Sequence, residues 1–153
     1  MIRKGTVADV RSGALSRAAG HLAVVMCRYP RGLSKKLIDE YIRVLAPDAQ
    51  LLDDFHAERG RLNGNHNAAF LSMNYQKRFR LSVEAVAELR RLAELARERD
   101  VYLICQCAND QRCHRELLLI CARRWFGVPT EQRKFSYPEF ESRVPDDPAP
   151  LQA

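Results

Sequence analysis

Eleven residues, CANDQRCHREL at 107–117, carry two cysteines, a histidine and two arginines directly after the apolar run VYLICQ. Three chemistries suit these residue types. Cys105, Cys107, Cys113 and His114 are the kinds of ligand zinc takes, but the usual site spaces its pairs as CxxC or HxxxH. On spacing alone, neither a bound metal nor any other cofactor is expected. Cys113, in the first turn of a following helix and beside arginines, could ionise and act as a nucleophile with His114 as its base. Arg112 and Arg115, with the free N–H groups of that helix start and His114 as a further donor, could grip a phosphate. Against all three stands the common role of cysteine as a small buried hydrophobe. That reading is preferred for Cys27, Cys105 and Cys121, which sit inside apolar runs.

A second segment bears on the choice. RYPRGLSKK at 28–36 holds four cations, Arg28, Arg31, Lys35 and Lys36, with Pro30 to stiffen it and Gly32 to permit an unusual backbone angle. It leads into what reads as a helix N-terminus, a natural place for an anion. Two cationic loops favour the anion reading of both. His21, His56 and His66 are scattered and take no role.

The elements that would hold these loops follow from periodicity and caps. GTVADV (5–10) and HLAVVMC (21–27) read as strands, the second buried on both faces. Ser34 is a candidate cap for a helix whose inner face is Leu37, Ile38, Tyr41, Ile42 and Leu45, stopped by Pro47. A short helix follows Asp48 with Leu51, Leu52 and Phe55 inward, and 58–67 is a loop. Residues 67–79 are weakly helical, and a clear helix starts at Ser82 with Val86, Leu89, Ala93 and Ala96 in one stripe. VYLICQC (101–107) is a second central strand, and Asn109 or Asp110 caps a helix through RCHRELLLICARRWF. The order implies an α/β fold: a small, mostly parallel sheet flanked by helices in a single compact domain over 1–126. Residues 127–153 read as a proline-rich tail, with an edge strand at 134–137 and a disordered end. If the two apolar strands are parallel neighbours, the loops at 28–36 and 107–115 meet at the carboxyl edge of the sheet, where such folds bind ligands.

The net charge is +6 over 153 residues. Three basic and five acidic residues lie from Gly127 onward, so the body before it carries +8. That charge favours phosphates, nucleotides or nucleic acid as partners. Only Tyr29 interleaves an aromatic ring with these cations, fewer than a single-strand-binding surface uses. No run of about 18 apolar residues is present and the start does not read as a signal peptide, so a membrane partner is not expected. An odd count of five cysteines argues for reduced thiols in the cytoplasm.

At these loops the chain resembles the domain of unknown function 488 family, including its YeaO-like branch. RYPRGLSKK is similar to that branch's Trp-Pro-Arg-Gly stretch, VLAPDAQLLDDF (44–55) to its Leu-Ala-Pro-Ser segment, and LICQC…CHRELL to the Cys-His-Arg end of the other branch. The matching positions are Arg28, Pro30, Arg31, Gly32, Cys105, Cys113, His114 and Arg115. Tyr29 stands where a tryptophan is usual, Met26 where an aspartate is common and Cys107 where the other branch has a glutamate. Chemistry that needs those carboxylates is therefore not expected. The resemblance implies a compact α/β domain and no settled reaction. Together these observations predict a phosphate-bearing ligand held by Arg28, Arg31, Lys35, Arg112 and Arg115. A Cys113/His114 enzyme and a zinc-stabilised module are the alternatives.

Overall fold

The computed structural model describes residues 1–148. Four parallel strands form one sheet in the order β1 (Ile2–Thr6), β4 (Val101–Cys105), β2 (His21–Val24), β3 (Glu40–Tyr41). The two apolar strands of the sequence are the central pair, in register from His21 opposite Val101 to Val24 opposite Ile104. Their valine- and leucine-rich runs are buried on both faces, as a parallel sheet requires. One face packs the larger core, against α5 (Val83–Leu95) and α6 (His114–Phe126); the other packs Val7, Val10, Leu33 and Ile38.

Three local readings of the sequence differ from the structure, each for a physical reason. The first strand lies earlier, at Ile2–Thr6, and Val7–Ser12 is a helix, α1, because Thr6 caps it by accepting from the Asp9 N–H. Ser34 caps only a single 3-10 turn, Lys35–Leu37, in place of the long helix. There the Asp39 N–H bonds Leu22 O at 2.9 Å and the Ile42 N–H bonds Val24 O at 2.8 Å, so the edge of the sheet captures the segment as β3. The helical stripe and a half-buried edge strand use the same apolar residues, and main-chain pairing prevails. Finally, α6 begins at His114, with Cys113 as its cap residue, and Asn109 and Asp110 stay in the preceding turn.

The helices α2 (Ala49–Arg61) and α5 start where their caps predict, Asp48 accepting from the Leu51 N–H and Ser82 from the Ala85 N–H. The weakly helical stretch splits into α3 (His66–Ser72) and α4 (Tyr75–Arg78), with Asn74 between them in the left-handed conformation. Among the described residues no helix is long and apolar enough to cross a membrane.

Residues 127–148 pack onto the same core instead of trailing from it. Val128, Tyr137, Phe140 and Val144 are buried in the larger cluster, and α7 (Pro138–Arg143) docks through the Phe140 N–H on Gln76 Oε1. Strand-like contact occurs at Thr130, beside Ile2, and not at 134–137. The carboxylate of Glu116 is the knot: Lys4 Nζ, the Lys134 N–H and the Tyr137 hydroxyl all donate to it, at 2.7–2.8 Å. Lys4 and Glu116 side chains are 1% and 0% exposed, so this is a buried ion pair whose lone pairs are satisfied, the condition under which such a pair is tolerated. The expected disordered end falls on residues 149–153, outside the described part of the chain.

Candidate functional site

Because β2 and β4 are parallel neighbours, the segments after them leave the sheet at the same edge. Between them lies a cavity of about 300 Å³, closed on the far side by α2 and α3. Its floor is Cys105, Cys107, Cys113 and His114; its wall is aromatic, from Phe55, Phe70 and Tyr75; its rim carries Arg28, Arg59 and Arg112. Among the described residues no aspartate or glutamate lines it.

The floor is tightly built. β4 ends at Cys105, and Cys113 starts α6, which brings their sulfurs to 3.9 Å; Cys107 Sγ is likewise 3.9 Å from Cys105 Sγ. His114 Nε2 is 2.7 Å from Val25 O, and a carbonyl only accepts, so this nitrogen carries the proton. Nδ1 is thereby turned to Cys113 Sγ, at 3.4 Å. Arg115 Nε donates to the same sulfur at 3.3 Å. Burial raises the Cys113 thiol, but its contacts with Cys105 and Cys107 and the neighbouring Arg115 and His114 outweigh it and hold it well below the usual thiol range. Cys105 is lowered by its contact with Cys107, yet the bond to Cys113 and burial push it to about 12. The contact with Cys105 likewise keeps Cys107 protonated, with Cys113 and burial adding to the effect.

The predicted anion ligands are not brought together as a set. Arg28 is at the rim, exposed, with one terminal nitrogen 3.4 Å from Asp53. Arg112 lines the cavity, but its guanidinium lies over the Phe135 and Tyr137 rings and donates to Ser136 O at 2.8 Å. Arg115 is fully buried beneath the turn, where it donates to the carbonyls of Gly5, Cys107 and Ala108. Arg31 and Lys35 do not line the cavity; the carbonyl of Arg31 accepts from Arg11, and Lys35 Nζ sits 5.6 Å over the Tyr29 ring. The premise that Lys35 opens a long helix fails with the helix itself.

Other lining residues went unassigned in the sequence. Phe55, His56 and Arg59 come from α2, and His66 from α3. Partial burial, then Arg59, lowers the His56 pKa. His66 Nε2 lies 2.7 Å from Arg112 O and so donates to it, leaving a buried Nδ1 without a partner among the described residues. The helical spacing of Phe55 and Arg59 was visible, but nothing local shows that α2 crosses the carboxyl edge of the sheet.

No curated protein and no solved structure matches the chain. One family model does match, DUF488-N3a, described as the active DUF488-N3 subclade, over residues 8–123. The match contains both loops, the cavity wall from α2 and α3, and the whole thiol floor. It spans about three quarters of the sequence, and the chain belongs to the DUF488 family.

Proposed function

We propose that the cavity binds a phosphate-bearing ligand of nucleotide size, free or as the end of a nucleic-acid strand. The observation that carries this is the lining: three arginines and no carboxylate, around an aromatic wall. Arg28, Arg59 and Arg112 favour an anion at the mouth, Arg59 most directly, since Arg112 is committed to Ser136 O and Arg28 faces Asp53. Phe55, Phe70 and Tyr75 suit a flat ring, and the Nδ1 lone pair of His66 suits a ring N–H or amino group. The volume is at the lower end of small-ligand pockets, about 300–1,000 Å³, which fits one nucleotide and not a duplex. Free thiols at all five cysteines support a reducing compartment, and we place the protein in the cytoplasm.

The test is calorimetric titration with inorganic phosphate, purine and pyrimidine mononucleotides, and a short single-stranded oligonucleotide at low and moderate salt. A mononucleotide should bind more tightly than phosphate, and the affinity should fall as salt rises. No binding of any of these at low salt would refute the assignment.

A second reading, thiol chemistry at Cys113 with His114 as acid–base partner, is favoured by the 3.4 Å contact of Sγ with Nδ1 at the cavity floor. It requires the wild type, and not Cys113→Ser, to form a covalent adduct with an electrophilic ligand analogue, visible by mass spectrometry.

A further inference from the structure

The three sulfurs and His114 have a geometry that the sequence spacing did not suggest. In a tetrahedral zinc site with Zn–S near 2.3 Å and Zn–N near 2.0–2.1 Å, neighbouring sulfurs lie about 3.8 Å apart and sulfur and nitrogen about 3.6 Å apart. Here the sulfur separations are 3.9 Å for Cys105–Cys107 and 3.9 Å for Cys105–Cys113, and Cys113 Sγ is 3.4 Å from His114 Nδ1. The ligand atoms of Cys105, Cys113 and His114 all lie within 4.8 Å of one another. From these distances we infer a site for a thiophilic divalent cation of the zinc class, bound by Cys105, Cys113 and His114 Nδ1, with Cys107, which is 3.9 Å from Cys105 but outside that mutually close group, turning in as the fourth ligand.

Two further features fit. A ligating imidazole is normally fixed by a bond from its other nitrogen, and His114 Nε2–H has that bond to Val25 O. The second feature is charge. Arg115 is fully buried, with Nε 3.3 Å from the Cys113 sulfur and its other donors on neutral oxygens. With three thiolates, one histidine and a divalent ion, Arg115 supplies the single counter-charge that is needed. Such a site would pin the end of β4 to the start of α6 and fix the cavity floor. It is independent of which ligand fills the cavity.

The experiment is cobalt loading of the full-length reduced protein under anaerobic conditions, read by absorption. Expected is one cobalt per chain, with sulfur-to-cobalt charge-transfer bands and the intense visible bands of a tetrahedral site. Zinc should displace the cobalt and raise the melting temperature. Cys107→Ala keeps the other three ligands and the buried network, so it should remain folded, with charge-transfer intensity reduced by about a third. Cys121→Ala, remote in the core, should keep the full spectrum. The inference is overturned if the folded wild type takes up no cobalt, if the bands are octahedral and weak, or if Cys107→Ala leaves the spectrum unchanged. Nucleotide titration of the same samples reads the proposed ligand separately, so either assignment can fail alone.

Discussion

The two cationic segments leave adjacent ends of the same sheet, and their arginines have opposite fates. In 28–36 the cations stay at the surface, and only Arg28 reaches the cavity rim. In 107–115 one arginine is at the rim and the other sinks completely. The difference is the supply of unpaired acceptors. The turn after β4 directs the carbonyls of Cys107 and Ala108 inward, where Gly5 O and the Cys113 sulfur already lie, and a guanidinium satisfies all of them at once. After β2 the carbonyls of Val25, Cys27 and Arg31 are taken by His114, Tyr41 and Arg11. Counting cations in a loop shows that charge is present; the carbonyls around it decide whether that charge serves the fold or a ligand.

The largest expected effect tests this contrast directly. Arg115→Met should cost about 3–5 kcal/mol, because it strands the buried Cys113 sulfur and several carbonyls. Denaturant unfolding checks it, and Arg115→Lys should recover little of the loss, since an ammonium cannot span the same acceptors. A loss below about 1 kcal/mol would make the two loops alike after all. Next comes the tie between the buried loop and the C-terminal segment. Tyr137→Phe removes the hydroxyl that donates to Glu116 and accepts from the Cys113 N–H, and should cost about 1–3 kcal/mol by thermal melting.

Smaller still, and on binding instead of stability, Arg59→Ala should weaken mononucleotide binding about tenfold, in line with one charge-assisted bond of about 1.5–3 kcal/mol. Its melting temperature should match the wild type; a drop would mean the residue supports α2 through its position over Phe55. The smallest effect belongs to Arg31→Ala. Stability should move by no more than about 0.5 kcal/mol and nucleotide affinity not at all, because its side chain does not line the cavity. A clear loss of affinity would return the first loop to the ligand.

What could be read from the sequence were the features with one physical explanation. Val24, Val25, Leu103 and Ile104 sit in runs too apolar for anything but a doubly covered strand, and Asp48 and Ser82 cap helices wherever those helices pack. What could not be read depended on partners far along the chain. Leu37 to Leu45 satisfies a helical stripe, and only the free edge of β2 makes its middle, Glu40–Tyr41, a strand. Arg115 looked like a ligand-facing cation because one of its acceptors, Gly5 O, lies 110 residues away. Tyr137 and Phe140 looked like tail residues since proline and acidic neighbours hide two core aromatics. The thiol floor was legible as residue types but not as a shape: Cys105 and Cys113 meet only because the chain turns back between them.

The meeting point at Glu116 also bears on how the protein is made. Its carboxylate is reached from Lys4 at one end of the chain and from Lys134 and Tyr137 at the other. β1 itself has no strand neighbour until β4 is available, since Ile2 pairs with Val101. A nascent chain leaving the ribosome thus carries its first strand unpaired until residues 101–105 have been made. It cannot fully desolvate the Lys4–Glu116 pair until Lys134 and Tyr137 have emerged. Folding is completed in a late step that brings two distant stretches of the chain to a single carboxylate, and a product cut short before Tyr137 would present that charge, and the apolar face beside it, to the cell's quality control.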